Sequence, residues 1–482
     1  MSEYEPLVPA PPHDALPTGT NVRVDEGAAF VDRDLLSGGS PWRLLRLRGS
    51  SRETLERWRH GGPVLGGEER LARTLIEQGF VTPTFDAPLS RSAIDVVVPV
   101  YGNVANLSSL LRQLEGYHVT VVDDGSHDGD AVALCAQQFG ATLQRVGENE
   151  GPAHARNVGA SATKREFLWF VDVDVSVVDA DRVARHLRSA FEDSRVAAVA
   201  PRVRGLDGTS WREHFEHHFG PLDLGPRSSL VVPGGAVAYV PSACIMIRRD
   251  AYGEGFDESL RVGEDVDFVW RLADRGWLVR YDATIEVAHP TRLALRDWWQ
   301  QRQRYGSSSA VLAERHGKRL APLRADAWTF VTWTSVLLGK PAVGARIVAG
   351  ARRHAIGTIF QDEENPAATA DEVVTRNMVR AGGPLARTVV RTFGVAVLLF
   401  ALHPRWRVRA LGLFVLGSAW RWRRDRFHPT DVPFAIADDL AYGSGVLLGA
   451  LRERSLRSLT PNITKSTLGL REILGLPGVS ET

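Results

Sequence analysis

Several short acidic or polar segments in this chain follow apolar runs, and their residue types could do chemistry. Asp172-Val173-Asp174 follows Phe167 to Val171. On an extended segment, residues two apart point the same way. One or both carboxylates can then hold a hard divalent ion, Mg2+ or Mn2+, against substrate phosphates. Such an ion neutralises a departing diphosphate and so stabilises charge that grows in the transition state. His289, in Val287-Ala288-His289-Pro290, is a further candidate ligand. Asp123 and Asp124 end a second run and precede Gly125-Ser126. A carboxylate there can accept from the imide N–H of a uracil base, or simply cap the turn. Gly151 to Asn157 opens a helix with small residues and Arg156, a surface a nucleotide can approach closely. Asp265 lies at the start of another helix, in Gly263-Glu264-Asp265-Val266-Asp267-Phe268. A carboxylate placed so can deprotonate an acceptor hydroxyl as it attacks a sugar carbon, help worth about 10²–10⁴-fold. Glu264 and Asp267 are alternative bases on spacing alone. One base with one metal suits a direct displacement with inversion. Acidic groups gathered this way repel, so a cation or N–H donors must be among them.

The elements that position these residues are legible in the same stretch. Ile94 to Val100 is nearly continuous apolar sequence ending in Pro99-Val100-Tyr101-Gly102-Asn103, and a helical pattern follows from Val104 to Gly116. Val119 to Val122, Phe167 to Val171 and Val196 to Val203 are further apolar runs. Short buried strands alternating with helices predict an α/β fold, a mostly parallel sheet with helices on both faces. Ligands of such sheets lie at the carboxyl ends of the strands, where the acidic segments fall.

The ordered set VVVPVYGN, VVDDGS, GPAHARNVG, FVDVDV and GEDVDF, with the later His289, resembles glycosyltransferase family 2 and its GT-A fold over about 200 residues. The resemblance implies a nucleotide-diphosphate sugar donor, Mg2+ or Mn2+, and inversion at the anomeric carbon. It implies donor contacts for Pro99, Tyr101, Asp123 or Asp124, Arg156, Asn157 and Asp172. It puts the metal on Asp174 and His289, makes Asp265 the base and sets Glu264 near the acceptor. Gln301-Arg302-Gln303-Arg304-Tyr305 resembles the Gln-x-x-Arg-Trp signature of processive members, with Tyr305 in place of Trp. That likeness implies diphosphate binding by Arg304 and acceptor stacking by Tyr305. The whole-chain layout resembles the mycofactocin system glycosyltransferases of actinobacteria. These act on a peptide-derived redox cofactor, with UDP-glucose as donor and β-1,4-linked glucose as product. An alternative within the larger family is a lipid-phosphate or cell-envelope polysaccharide acceptor.

The layout has four parts. Residues 1–20 read as a flexible arm, 21–90 as a winged-helix-like module, 91–320 as the GT-A domain and 321–482 as a helical, hydrophobic region. In the module, Val22, Val24, Phe30 and Val31 suggest a hairpin, and two short helices follow from Ser51 and Glu68. Strand, helix, helix, strand resembles the peptide-binding modules of peptide-maturation systems, or else forms a cap on the next domain.

The helical region holds three apolar runs, Ala327 to Gly339, Thr392 to Leu402 and Ala410 to Trp420, each shorter than the roughly 18–20 residues of a membrane span. Arg405, Arg407, Arg409, Arg421, Arg423, Arg424 and Arg426 flank the last two, beside Trp406, Trp420 and Trp422. This pattern predicts helices lying on an anionic cytoplasmic membrane surface, with a buried helical subdomain as the alternative. The start of the chain has no basic-then-apolar signal pattern, and Cys135 and Cys244 are too few for a disulfide framework, so a cytoplasmic setting is expected. With 58 basic against 57 acidic residues in 482, the chain lacks the charge excess of a nucleic-acid coat protein.

Overall fold

The computed structural model describes residues 10–11, 15–208, 210–291, 294–425 and 429–464. Arg426 and most of the N-terminal arm lie outside the described residues, as does the side chain of Arg424. The chain forms two compact units, residues 1–29 with 37–291, and residues 30–36 with 292–482.

The first unit is built on an eight-stranded sheet. Its central strand β3 (Ile94–Val100) is buried at all seven positions, because helices cover both faces of a parallel strand. Beside it run β4 (His118–Asp124) and β5 (Thr142–Val146) on one side and β6 (Phe167–Val171) on the other, all parallel. The labels β1 and β2 belong to the N-terminal module, Asn21–Val24 and Val81–Thr84. Beyond β6 come β9 (Cys244–Arg248), antiparallel, then β7 (Val196–Gly205) with β10 (Leu278–His289) parallel to it, and β8 (Ser229–Leu230) at the edge. The mostly parallel α/β sheet expected from the apolar runs is present. The antiparallel strands β9 and β8 account for the departure from a fully parallel order.

The N-terminal module differs from its expected form in one respect. Val22 and Val24 do not pair within a hairpin; β1 pairs antiparallel with β2, and helices α1 (Ser51–Arg59) and α2 (Glu69–Glu77) lie between them in sequence. The arm is also less free than its composition suggests. Leu16 is fully buried and the Gly19 N–H donates to the Val64 carbonyl. The module is fastened to the sheet by buried charge. Arg73 of α2 makes a two-pronged pair with Asp193 at 3.0 and 3.1 Å, and Arg195 reaches Glu77 at 2.8 Å.

The second unit is helical. The segment Leu295–His316 (α9) runs against Val432–Arg452 (α14), where a Cβ on Gly306 would sit 2.1 Å from the Tyr442 carbonyl oxygen. This close approach explains why the division falls near residue 292, not near 320. The helices Gly382–Leu402 (α12) and Pro404–Asp425 (α13) extend well past their apolar runs. Two helical stretches, Pro366–Leu402, which contains α12, and Val432–Arg452, are long and apolar enough to cross a membrane. Of the three apolar runs only Thr392–Leu402 lies in such a stretch among the described residues, where the helix continues through turns containing Arg and Gly; the runs Ala327–Gly339 and Ala410–Trp420 do not. Within this unit Arg302, Arg391 and Arg421 surround Asp438 at 3.0, 3.1 and 3.9 Å. The labels α3 to α8 are Val104–Gln113, Gly129–Gln138, Pro152–Ser161, Ala180–Ser189, Trp211–Phe219 and Glu264–Asp274; α10 and α11 are Ala327–Leu337 and Pro341–His354.

Candidate active site

The carboxyl ends of β3, β4, β6 and β10 bring most of the singled-out residues of the first unit together. At the end of β4, both oxygens of Asp124 accept backbone N–H groups, from Glu150 and Gly151, each at 2.9 Å. Burial lifts its pKa, and its acceptor capacity holds the loop that opens α5. Asp123 is fully buried; one oxygen accepts from the Ser126 N–H at 2.9 Å and the other lies 3.5 Å from Arg145 Nε with no hydrogen bond. Of the two, Asp123 keeps an uncommitted acceptor. Arg145 was not singled out from the sequence; it stands opposite Asp123 in the β4–β5 register, a signal that exists only once the strand order is known.

Three candidates turn out to be committed to the protein itself. Pro99 is buried within β3, because the strand runs on through Val100. Asn157 spends its side chain on the 252–258 segment, donating to the Phe256 carbonyl and Glu258 and accepting from Tyr252 Oη and the Phe256 N–H. Arg156 is buried and points inward, donating to Asp172 at 2.7 Å and to Glu264 at 3.1 Å, with its guanidinium 5.5 Å from the Phe256 ring. It is the cation that so many converging carboxylates require. Tyr101, by contrast, is half exposed at the end of β3, its hydroxyl 3.5 Å from His127 Nε2.

Asp172 and Asp174 do not share one extended face. The strand β6 stops at Val171, and the Val175 N–H donates to the Asp172 carbonyl to close a turn. The side chains consequently part: Asp172 meets Arg156, and Asp174 Oδ2 lies 3.4 Å from His289 Nε2. His289 Nδ1–H donates to the Pro290 carbonyl at 2.9 Å, which fixes the ring with Nε2 on the Asp174 side. No third His, Cys, Asp or Glu completes a metal cluster among the described residues. A carboxylate and an imidazole fit an ion that draws its remaining ligands from diphosphate and water.

The start of α8 separates three neighbouring carboxylates. Glu264 is taken by Arg156, and Asp267 by Arg271 at 2.8 Å. Among the described residues Asp265 has no cationic partner at ion-pair distance; it accepts from the backbone N–H of its neighbour Val266 at 2.8 Å. Burial, reinforced by the charge of Glu264, lifts its pKa to about 7, against backbone hydrogen bonds and Arg156 that pull it down. A base poised near neutrality is what proton abstraction at neutral pH requires. The geometry thus distinguishes among three residues that spacing left equivalent.

In the second unit, Gln301 and Arg302 are buried, and Arg302 takes up Asp438 and the face of Trp298. Arg304 is exposed, and the Tyr305 hydroxyl accepts from Gln301 at 3.1 Å.

Residues 95–256 match the family model for glycosyl transferase family 2. The chain is 34% identical over 474 residues to the pre-mycofactocin glycosyltransferase of Mycobacterium tuberculosis, covering 93% of this chain and 98% of that protein. It is 22% identical over 205 residues to the poly-beta-1,6-N-acetyl-D-glucosamine synthase of Staphylococcus aureus, 41% of this chain and 49% of the other. Among solved structures, a mannosyltransferase from Pyrobaculum calidifontis in complex with GDP-Man and Mn2+ aligns with a TM-score of 0.44 and 16% identity, over 75% of this chain and 90% of that one.

Proposed function

Because the chain belongs to the pre-mycofactocin glycosyltransferases of glycosyltransferase family 2, a family of GT-A enzymes, we propose that it transfers glucose from UDP-glucose to a peptide-derived mycofactocin precursor, with inversion, building a β-1,4-linked chain. The observation that carries the mechanism is Asp265, in no ion pair among the described residues and lifted to about 7 at the start of α8.

In this reading Asp265 accepts the proton of the acceptor hydroxyl while that oxygen attacks the anomeric carbon. The sugar–phosphate bond breaks on the opposite face and the nucleoside diphosphate departs. Arg156 holds Asp172 toward the donor and Glu264 toward the acceptor, so one buried guanidinium fixes both sides of the reaction. Asp123 and Tyr101 border the nucleoside, with His127 beside Tyr101. Asp174 and His289 would hold a divalent ion, Mg2+ or Mn2+, which when bound neutralises diphosphate charge. Arg304 and Tyr305 keep their diphosphate and acceptor assignments on the motif resemblance.

The test is a donor screen on the full chain with Mn2+ or Mg2+, following UDP release from several UDP-sugars, and GDP release from GDP-mannose, each with and without a tyrosine-derived precursor. Precursor-stimulated release from UDP-glucose is expected. Release from another donor alone removes the glucose assignment. The two long apolar helices favour a second reading, a lipid-linked acceptor at the cytoplasmic membrane surface; UDP release that needs lipid and ignores the precursor is its signature.

A further inference from the structure

We propose that the exposed aromatic face of α7 is a track for the saccharide chain of the acceptor, leading outward from the Asp174–His289 pair. The inference rests on the glycosyl-transfer reading and adds a binding surface to it. Trp211, His214 and His218 are three and four residues apart, which puts them on one side of the helix. All three are exposed, Trp211 at 64%. Phe215, four residues on from Trp211 and so next to it around the helix, is buried together with Glu216, so α7 is held along the flank adjoining the exposed row. The His214 and His218 rings are 4.5 Å apart with planes 34° from parallel, and the His218 ring is 4.8 Å from that of His217.

The row has a definite inner end. Gly205, the last residue of β7, stands opposite His289 in the strand register, and the Leu206 N–H donates to the His289 carbonyl. The chain then turns back and seats the last turn of α7 on Gly205. A Cβ at that position would lie 2.7 Å from the Glu216 carbonyl, so only glycine allows this contact. His217 fixes the seat: Nδ1–H donates to the Gly205 carbonyl at 2.7 Å and Nε2 accepts from Arg204 at 2.7 Å. His217 and His218 therefore lie at the His289 end. Trp211 lies six residues back, about 9 Å along the helix.

Aromatic rings present a negative face, which attracts the C–H groups lining one side of a β-linked pyranose. A row about 9 Å long exceeds one pyranose ring. It therefore suits several linked sugars better than the compact peptide-derived core of the acceptor.

Two measurements on the full chain test the track. Cellotetraose is titrated into wild type, Trp211→Ala and His214→Ala/His218→Ala without donor. Each variant should bind about five- to tenfold more weakly, the loss of a stacked ring. Product from UDP-glucose, Mn2+ and the precursor is then sized by mass spectrometry, and the variants should show a lower ratio of multiply to singly glycosylated product. Equal cellotetraose affinity in all three proteins, or an unchanged product ratio, overturns the track. UDP-glucose binding on the same samples separates the two ideas. Wild type that binds the donor and adds one sugar, with variants that behave identically, loses the track and keeps the glycosyl-transfer reading.

Discussion

The base assignment makes a quantitative prediction about pH. Asp265 is pushed up to about 7 against an ordinary aspartate value of 3.8, because its carboxylate is desolvated in a half-buried position and faces the charge of Glu264. A shift of about three units corresponds to about 4 kcal/mol of bias toward the protonated form. The profile of kcat/KM reports the free enzyme, so its acid limb should bend near pH 7. For a group titrating there, activity at pH 6 should be about one tenth of that at pH 8, with unit slope on a logarithmic plot. Two substitutions should move the limb in opposite directions. Glu264→Gln removes the repelling charge and shifts it to lower pH, so the pH 6 to pH 8 ratio rises toward one. Arg156→Met removes a charge that favours the carboxylate and shifts the limb upward. The assay is initial UDP release at subsaturating donor and acceptor, in constant-ionic-strength buffers from pH 5 to 9. A wild-type limb near pH 4, or a Glu264→Gln limb coincident with wild type, refutes the argument that Asp265 is the base and Glu264 its modulator.

The same carboxylate should leave a mark on stability, independent of turnover. A raised folded-state pKa in an acid means that stability falls as pH rises from the unfolded value near 4 through the folded value near 7. Asp265→Asn should thus be more stable than wild type at pH 8, by up to about 4 kcal/mol, and equal to it near pH 4. Denaturant melts at the two pH values check this, while UDP release should fall by about 10²–10⁴-fold. Asp174→Asn and His289→Ala should each weaken UDP binding in Mn2+ and leave metal-free binding unchanged; calorimetry with and without Mn2+ reads the difference, and equal losses in both conditions contradict the metal assignment. Arg73→Met should destabilise the first unit, by less than the about 3–5 kcal/mol of a wholly uncompensated buried charge, because Arg280 stays 3.8 Å from Asp193. Adding Asp193→Leu should restore much of that, measured by urea unfolding; a single variant as stable as wild type shows that the pair does not fasten the module.

The sequence by itself determined the sheet and the places where chemistry gathers. Runs such as Ile94–Val100 and Phe167–Val171 are apolar throughout, and only strands covered on both faces tolerate that, so strand positions and the acidic residues after them were legible. Pairing was not, nor was the reversed direction of β9 and β8, since these depend on which strands become neighbours. Arg145 meets Asp123 across two strands, and His289 meets Asp174 because the segment after β6 bridges the end of β10 at Ser176 and Ala288. The two-residue spacing of Asp172 and Asp174 implied a shared direction, but a turn parts them, and local spacing does not reveal where a strand stops. Glu264, Asp265 and Asp267 were equivalent on paper. Long-range contacts with Arg156 and local pairing with Arg271 neutralised two of them and left Asp265 half-buried and desolvated beside a like charge. Residue types and hydrophobic period are local properties that the chain carries in its order. A carboxylate's partner, its burial and therefore its proton affinity are properties of the space around it, which only the folded structure defines.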